Sequence, residues 1–244
     1  MNLYILSIFV FFQACNQVDS KQEEELTAPG LKQVAVYSTS VKEPSGLVYN
    51  SKSNNLITVS DANSTVYEID FSGRIINELK ISADDLEGIA LSKNCDTIYV
   101  AEEKKQQVTK FLWDGTKISS LKTNVSVDEN HSLEGVTLDK KNNLFILNEK
   151  NPCVLLEYSG TTEITRKVLS FSKDVSDICY DDKLDCFWIV SDESEAVYKV
   201  SKAGYVLNKY SIPFSKGEGI TLVADKIYIV NDSDGKLYVF EKPE

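Results

Sequence analysis

One histidine, His131, serves the whole chain of 244 residues. That scarcity excludes a histidine-built metal centre, and any Ser–His or Cys–His hydrolytic pair has only this side chain to use. The phrases GxSxG and HExxH and the glycine-rich phosphate loop are all missing. Cys95, Cys153, Cys179 and Cys186 show no metal-ligand spacing. Long apolar runs are missing too: Asn2 to Ala14 is uncharged and rich in Leu, Ile, Phe and Val, but falls short of the ~20 residues a spanning helix needs. Positive charge is scarce, with Lys and Arg numbering 26 against 37 Asp and Glu, a net charge of −11. No basic stripe exists for nucleic acid, so that partner is excluded. The excess carboxylate favours cations or cationic partners, although an acidic surface also serves solubility.

What the chain does have is a repeated phrase. DLEGIALSKNCDTIYVAEE from Asp85 recurs as SLEGVTLDKKNNLFILNEK from Ser132 and KGEGITLVADKIYIVNDSD from Lys216. Weaker copies begin at Glu43 and Asp174. The residue at the glycine position is 46, 88, 135, 177 and 219, giving steps of 42, 47, 42 and 42. Short strands recurring at this period are the signature of β-propeller blades. Each unit parses into four strands: a starts at the glycine motif, b ends at an acid, and c and d follow, d after a glycine turn. The fifth unit stops at Glu241 without its d strand, and Leu31 to Thr39 is a surplus strand at the other end. The chain therefore predicts an all-β, five-bladed β-propeller over 31–244, closed by its N-terminal strand on Leu237 to Glu241 and free of open edges. Its 42% hydrophobic residues suffice for one packed domain, expected to be a monomer. Extending the register of the other blades to the fourth pairs Ser176 with Ser191 and sets Cys179 opposite Trp188, not Cys186. The cysteines thus read as free, buried, small apolar side chains. Trp113 and Trp188 and the aromatic residues of strands b and c are expected to fill the space between blades.

Before the propeller, 1–14 reads as a signal peptide. Ala14-Cys15 after it resembles the lipobox of bacterial lipoproteins, which implies lipidation of Cys15. Phe12 and Gln13 depart from that pattern, and no Lys or Arg precedes the core; an ordinary secretory signal is the alternative. Residues 15–30, with Glu23-Glu24-Glu25, read as a polar tether. The expected location is exported, anchored by lipid at the outer or plasma membrane and facing the periplasm or the surface.

In a blade of this kind strand a is innermost, so the start of a and the end of b meet at one rim of the central channel. The a starts bring Glu87, Glu134 and Glu218, with Ser45 and Ser176 in the other blades. The b ends bring Asp61, Glu102, Glu149, Asp192 and Asp232. Carboxylates this crowded need water, raised pKa values or a cation. With Asn148, Asn231 and backbone carbonyls beside them, the hard oxygen donors suit Ca2+ or Mg2+ better than zinc. The alternative is that Glu before Gly merely caps a turn in each copy. His131, in Glu129-Asn130-His131-Ser132, falls near the same rim; a solvated surface histidine is its plain reading. Asp177 stands where the other copies have glycine, and Asp tolerates positive φ better than most residues.

SGLVYNSKSNNLITVSD, LEGIALSKNCDTIYVAEE, LEGVTLDKKNNLFILNEK and GEGITLVADKIYIVND are similar to the SdiA-regulated family of bacterial propellers. The likeness covers Lys32 to Glu241 and implies an exported, often membrane-associated propeller without an established reaction. A more distant likeness is to the calcium-containing gluconolactonase and paraoxonase propellers, which have six blades. Two functions follow: a lipid-anchored binding module whose acidic mouth, holding Ca2+, meets an unknown small-molecule or protein ligand, or a metal-dependent hydrolase of lactones or phosphoesters using channel Ca2+. The enzyme reading needs a base, and only His131 and the rim carboxylates offer one. The binding module is favoured.

Overall fold

The computed structural model describes residues 28–125 and 131–244, and among them it has twenty strands and no helix. The first strand, β1 (Gln33–Ser38), belongs spatially to the end of the chain. Blade one follows as β2 (Pro44–Asn50), β3 (Asn55–Ser60), β4 (Thr65–Ile69) and β5 (Ile75–Lys80). Blade two is β6 (Leu86–Leu91), β7 (Thr97–Glu102), β8 (Gln107–Leu112) and β9 (Lys117–Lys122). Blade three is β10 (Leu133–Leu138), β11 (Leu144–Asn148), β12 (Val154–Ser159) and β13 (Thr162–Val168). Blade four is β14 (Asp177–Asp181), β15 (Cys186–Ser191), β16 (Ala196–Ser201) and β17 (Val206–Ser211). Blade five is β18 (Gly217–Val223), β19 (Lys226–Asn231) and β20 (Lys236–Glu241), completed by β1. All pairs are antiparallel neighbours in sequence except β1 with β20, where Val36 faces Tyr238. The ring is thus a five-bladed β-propeller closed as the surplus N-terminal strand required, and β20 is left no open edge.

The hairpins explain why the phrase repeats with variable spelling. Each a-to-b turn needs one residue in the left-handed region. Asn54 (φ 56°), Asn142 (φ 62°) and Asp185 (φ 52°) supply it with side chains that tolerate it, while Cys95 and Ala224 take the same conformation at higher cost. The innermost strands β2, β6, β10, β14 and β18 pack successively around the axis. The b and c strands are covered by neighbouring blades on both faces, so β15 is buried along its whole length. Trp188, Phe111, Phe145, Phe187 and Phe240 are fully buried. Aromatic contacts join blades, with ring centroids 4.7 Å apart for Phe145 and Phe187 and 5.5 Å for Phe71 and Tyr228. The outermost strands face solvent, where Ile76, Ile118, Ile164 and Leu207 remain exposed. Cys179 lies opposite Trp188, as the register argument requires, and Cys95, Cys153, Cys179 and Cys186 are all free and buried.

Candidate functional site at the channel mouth

The glycines of the repeat sit where the five inner strands converge, and three of the four are needed for closeness rather than for positive φ. A Cβ on Gly88 would lie 2.1 Å from the carbonyl oxygen of Glu134, and one on Gly135 would lie 2.9 Å from the Cα of Asp177. On Gly219 it would meet the backbone of Gly46 at 2.7 Å. Gly46 alone combines this crowding with positive φ, at 40°. At the same pair the register slips between a and b in blades one, two, three and five. This is a β-bulge, which re-aims the side chain before the glycine.

In blade four Asp177 stands in the glycine's place and faces Val190, whose carbonyl also accepts from the N–H of Ser176. Asp177 is not in the left-handed region. Its carboxylate occupies the axis: Oδ2 accepts from the backbone N–H of Leu47 in blade one at 3.1 Å and of Ile220 in blade five at 2.9 Å. Oδ1 is buried without a partner. Burial pushes this carboxyl well above its usual range, against the pull of the backbone N–H groups. Asp177 is therefore a plug at the waist of the channel and not a ligand of the rim.

Above it opens a cavity of about 230 Å3. Its inner ring is Ser45, Glu87, Glu134, Ser176 and Glu218, and its outer ring Asp61, Glu103, Glu149, Asp192 and Asp232. His131 lines it as well. The expected convergence of a starts and b ends therefore occurs, with one correction of register. Glu102 is the last residue of β7 and is fully buried in its own blade, where its carboxylate accepts from Thr109, Gln107, Lys105 and the N–H of Asp84. Although burial opposes it, those bonds hold its pKa below the usual range. Alternation along the strand sends the next side chain, Glu103, to the mouth instead.

Asn148 and Asn231 precede the rim acids in the same way and serve the b-to-c loops. Asn148 Nδ2 donates to the carbonyls of Lys150 and Pro152, and Asn231 Oδ1 accepts from Ser233 and from the N–H of Asp234. Sequence reasoning also passed over the residue two before each inner-ring position. Glu43, Asp174 and Lys216 line the cavity from there, and Asp85 brings a carboxylate oxygen within 4.8 Å of those of Asp61 and Glu87. Strand alternation does not signal them, because they precede the inner strands and Glu43, Asp85 and Lys216 take positive φ. Cys15 lies outside the described residues.

The charges are unevenly distributed around the ring. Lys216 reaches Asp192 at 2.9 Å and Glu218 at 3.7 Å, and Lys150 reaches Glu149 at 2.8 Å. Glu87 accepts from the hydroxyl of Ser45, at 2.7 Å. Glu103 accepts from the N–H of Ser132 at 3.0 Å. Burial first, then repulsion from Glu87, Glu218, Glu149 and Glu103, pushes Glu134 well above the usual carboxylate range. Burial does the same to Glu87, joined by Asp61, Glu103 and Glu218. Glu103 is raised to about 7 by burial with help from Asp85 and Glu149, and Glu218 to about 7 by burial despite Lys216. Two sets of carboxylates are close enough to share one ion, Asp61 with Asp85 and Glu87, and Glu103 with Glu134 and Glu149; in each, the oxygens lie within 4.8 Å of one another.

The opposite end of the channel is apolar. Tyr49, Leu91, Leu138, Tyr180 and Leu222, three residues beyond the glycine position in each strand, surround a cavity of about 220 Å3.

The family model described as SdiA-regulated matches residues 32–168 and 161–244 of the chain. No curated protein sequence matches it. Among solved structures, a nidogen/laminin complex superposes with a TM-score of 0.61 at 15% identity, covering 82% of this chain and 76% of that one. A gluconolactonase from Xanthomonas campestris gives 0.57 at 9% identity, covering 89% and 96%. A catalytically inactive virginiamycin B lyase from Staphylococcus aureus with quinupristin gives 0.53 at 13% identity; 82% of this chain is covered, spanning 66% of the lyase. Identities this low establish a shared fold and nothing of the chemistry.

Proposed function

The chain belongs to the SdiA-regulated family, and from the geometry of its mouth we propose that it is an exported, lipid-anchored binding module. The acidic mouth takes a divalent cation, Ca2+ foremost, and with it recognises a small-molecule or protein ligand. The observation that carries this reading is the convergence of Glu103, Glu134 and Glu149, three carboxylates with oxygens within 4.8 Å, inside a cavity that other blades line with further acids. Like charges held this close cost stability unless protonated or bridged by a cation. Among the described residues the mouth offers oxygen donors and a single imidazole but no thiol, a donor set that fits a hard cation. Bound ion would supply a fixed positive charge on which an anionic or carbonyl group of a ligand can sit.

Thermal melts of purified protein in Ca2+ and in chelator test this. A cation that binds only the folded state stabilises it by about 2.7 kcal/mol at a hundredfold excess over its Kd. Equal melting temperatures, together with no metal in the purified protein, would remove the cation from the reading. The anchor is tested separately: Cys15→Ser should move the protein from the membrane to the soluble fraction, and a wild type already soluble and lipid-free refutes it.

A hydrolase is the second reading, favoured by one observation, His131 lining the same cavity as the carboxylates. An ion there would polarise a scissile carbonyl or phosphoryl group while the imidazole moved a proton. A screen of lactones and phosphoesters with and without Ca2+ decides it. Turnover that disappears in His131→Gln, with Ca2+ affinity retained, supports catalysis.

A further inference from the structure

The two carboxylate sets are not equivalent, and this difference deepens the proposed function, on which the following rests. Asp61, in the first set, is exposed, and Asp85 is engaged by Lys104 at 2.7 Å. Glu87 receives the hydroxyl of Ser45. In the second set Glu134 is 9% exposed. Beside the three carboxylates stand Lys150, 2.8 Å from Glu149, and His131, so negative charge is in excess there when all three are ionised.

A second observation comes from Ser132. Its Oγ is buried and has no hydrogen-bond partner, and the residue is 0% exposed. An orphaned buried hydroxyl is unfavourable to folding. Its backbone is built into this set, since its N–H donates to Glu103 and its carbonyl accepts from the N–H of Glu149 at 2.7 Å. Ser132 lies two residues before Glu134, in the bend that leads into β10. The residues at its place in the other blades, Glu43, Asp85, Asp174 and Lys216, turn to the mouth. The hydroxyl is thus a neutral, unsatisfied oxygen on a residue whose backbone is bonded to two of the three carboxylate residues.

We infer that the mouth holds one Ca2+, between blades two and three, with Glu103, Glu134 and Glu149 as anionic ligands and Ser132 Oγ as a neutral one. Carboxylate and neutral oxygens mixed in this way are what Ca2+ takes, with water completing the shell. The other set, Asp61 of blade one with Asp85 and Glu87 of blade two, stays outside the ion's coordination.

Calorimetric titration of the chelator-treated full-length protein with CaCl2 tests this. One ion per chain is expected. Glu134→Gln should weaken binding at least a hundredfold, and Ser132→Ala about fivefold to tenfold. Asp61→Asn should change Kd less than threefold. Melting of each variant in chelator separates folding from binding; Ser132→Ala should melt no lower than wild type there, because it removes an orphan. Two ions per chain, or loss of binding in Asp61→Asn with retention in Glu134→Gln, would overturn the assignment while leaving the mouth a cation site. Unchanged affinity in Ser132→Ala would remove the hydroxyl from it. No Ca2+ bound by wild type would overturn both this and the reading it rests on.

Discussion

The two ends of the channel are built by the same five strands within four residues of each other, yet they differ in chemistry. At one end Glu87, Glu134 and Glu218 crowd beneath the outer acids; at the other Leu91, Leu138 and Leu222 meet with Tyr49 and Tyr180. Apolar side chains gain by leaving water, so the half-buried apolar end adds to stability under all conditions. Ionised carboxylates lose by the same burial, so the acidic end stores free energy that only a proton or a cation releases. The apolar and the acidic mouths thus contribute to stability with opposite sign, with the glycine waist and Asp177 between them.

The comparison can be broken most drastically at the waist. Gly88→Ala would press a methyl group against the Glu134 carbonyl, where backbone must yield on both sides. A loss of about 3 kcal/mol or more is expected in denaturant melts, and both ends should fail together. Next in size is Leu91→Ala at the apolar end, expected to cost about 2 kcal/mol at every pH.

The acidic end should answer to pH instead. A carboxyl whose folded pKa is raised favours folding below its unfolded value and loses that contribution as pH rises through the folded one. Glu103 and Glu218 start from 4.5 and reach about 7. In chelator, stability should therefore fall between pH 4.5 and 7 by about 1–2 kcal/mol after allowance for screening, and Ca2+ should flatten the slope. Stability flat or rising across this interval would mean the mouth is not strained. The paired acids Asp139 and Asp181 have lowered values and act only at lower pH, outside this window. Smallest is Lys216→Met, which frees Asp192 and Glu218. The fold should lose about 0.5 kcal/mol, and the change in Ca2+ Kd should stay within threefold if the ion lies across the mouth.

Much of this was legible in the sequence because a propeller repeats its spacing. The positions 46, 88, 135, 177 and 219 locate the innermost strands, and the missing fifth d strand predicts closure by β1. The register that put Cys179 opposite Trp188 followed from counting alone. Counting failed at Glu102 because hairpin turns differ in length: the glycine-to-acid distance is 15 from Gly46 to Asp61 but 14 from Gly135 to Glu149, so Glu102 and Glu103 both qualify. Only the alternation of a defined strand end separates them. Asp177 was misjudged for another reason. Its position was read as a conformational requirement, whereas the need there is for space, and a side chain on the axis finds partners two blades away that no local pattern encodes.

Asp177 has a consequence for how the ring breathes. The seam that closes the circle runs between β1 and β20 at the perimeter, and peeling β1 away would expose one edge while leaving the centre intact. The amides of Leu47 and Ile220 donate to one carboxylate on the axis, so they are released only when blades one, four and five separate. Hydrogen exchange should therefore divide along the radius of the disc. Amides in β1 should exchange through local fraying, and those two inner amides only through opening of the whole molecule.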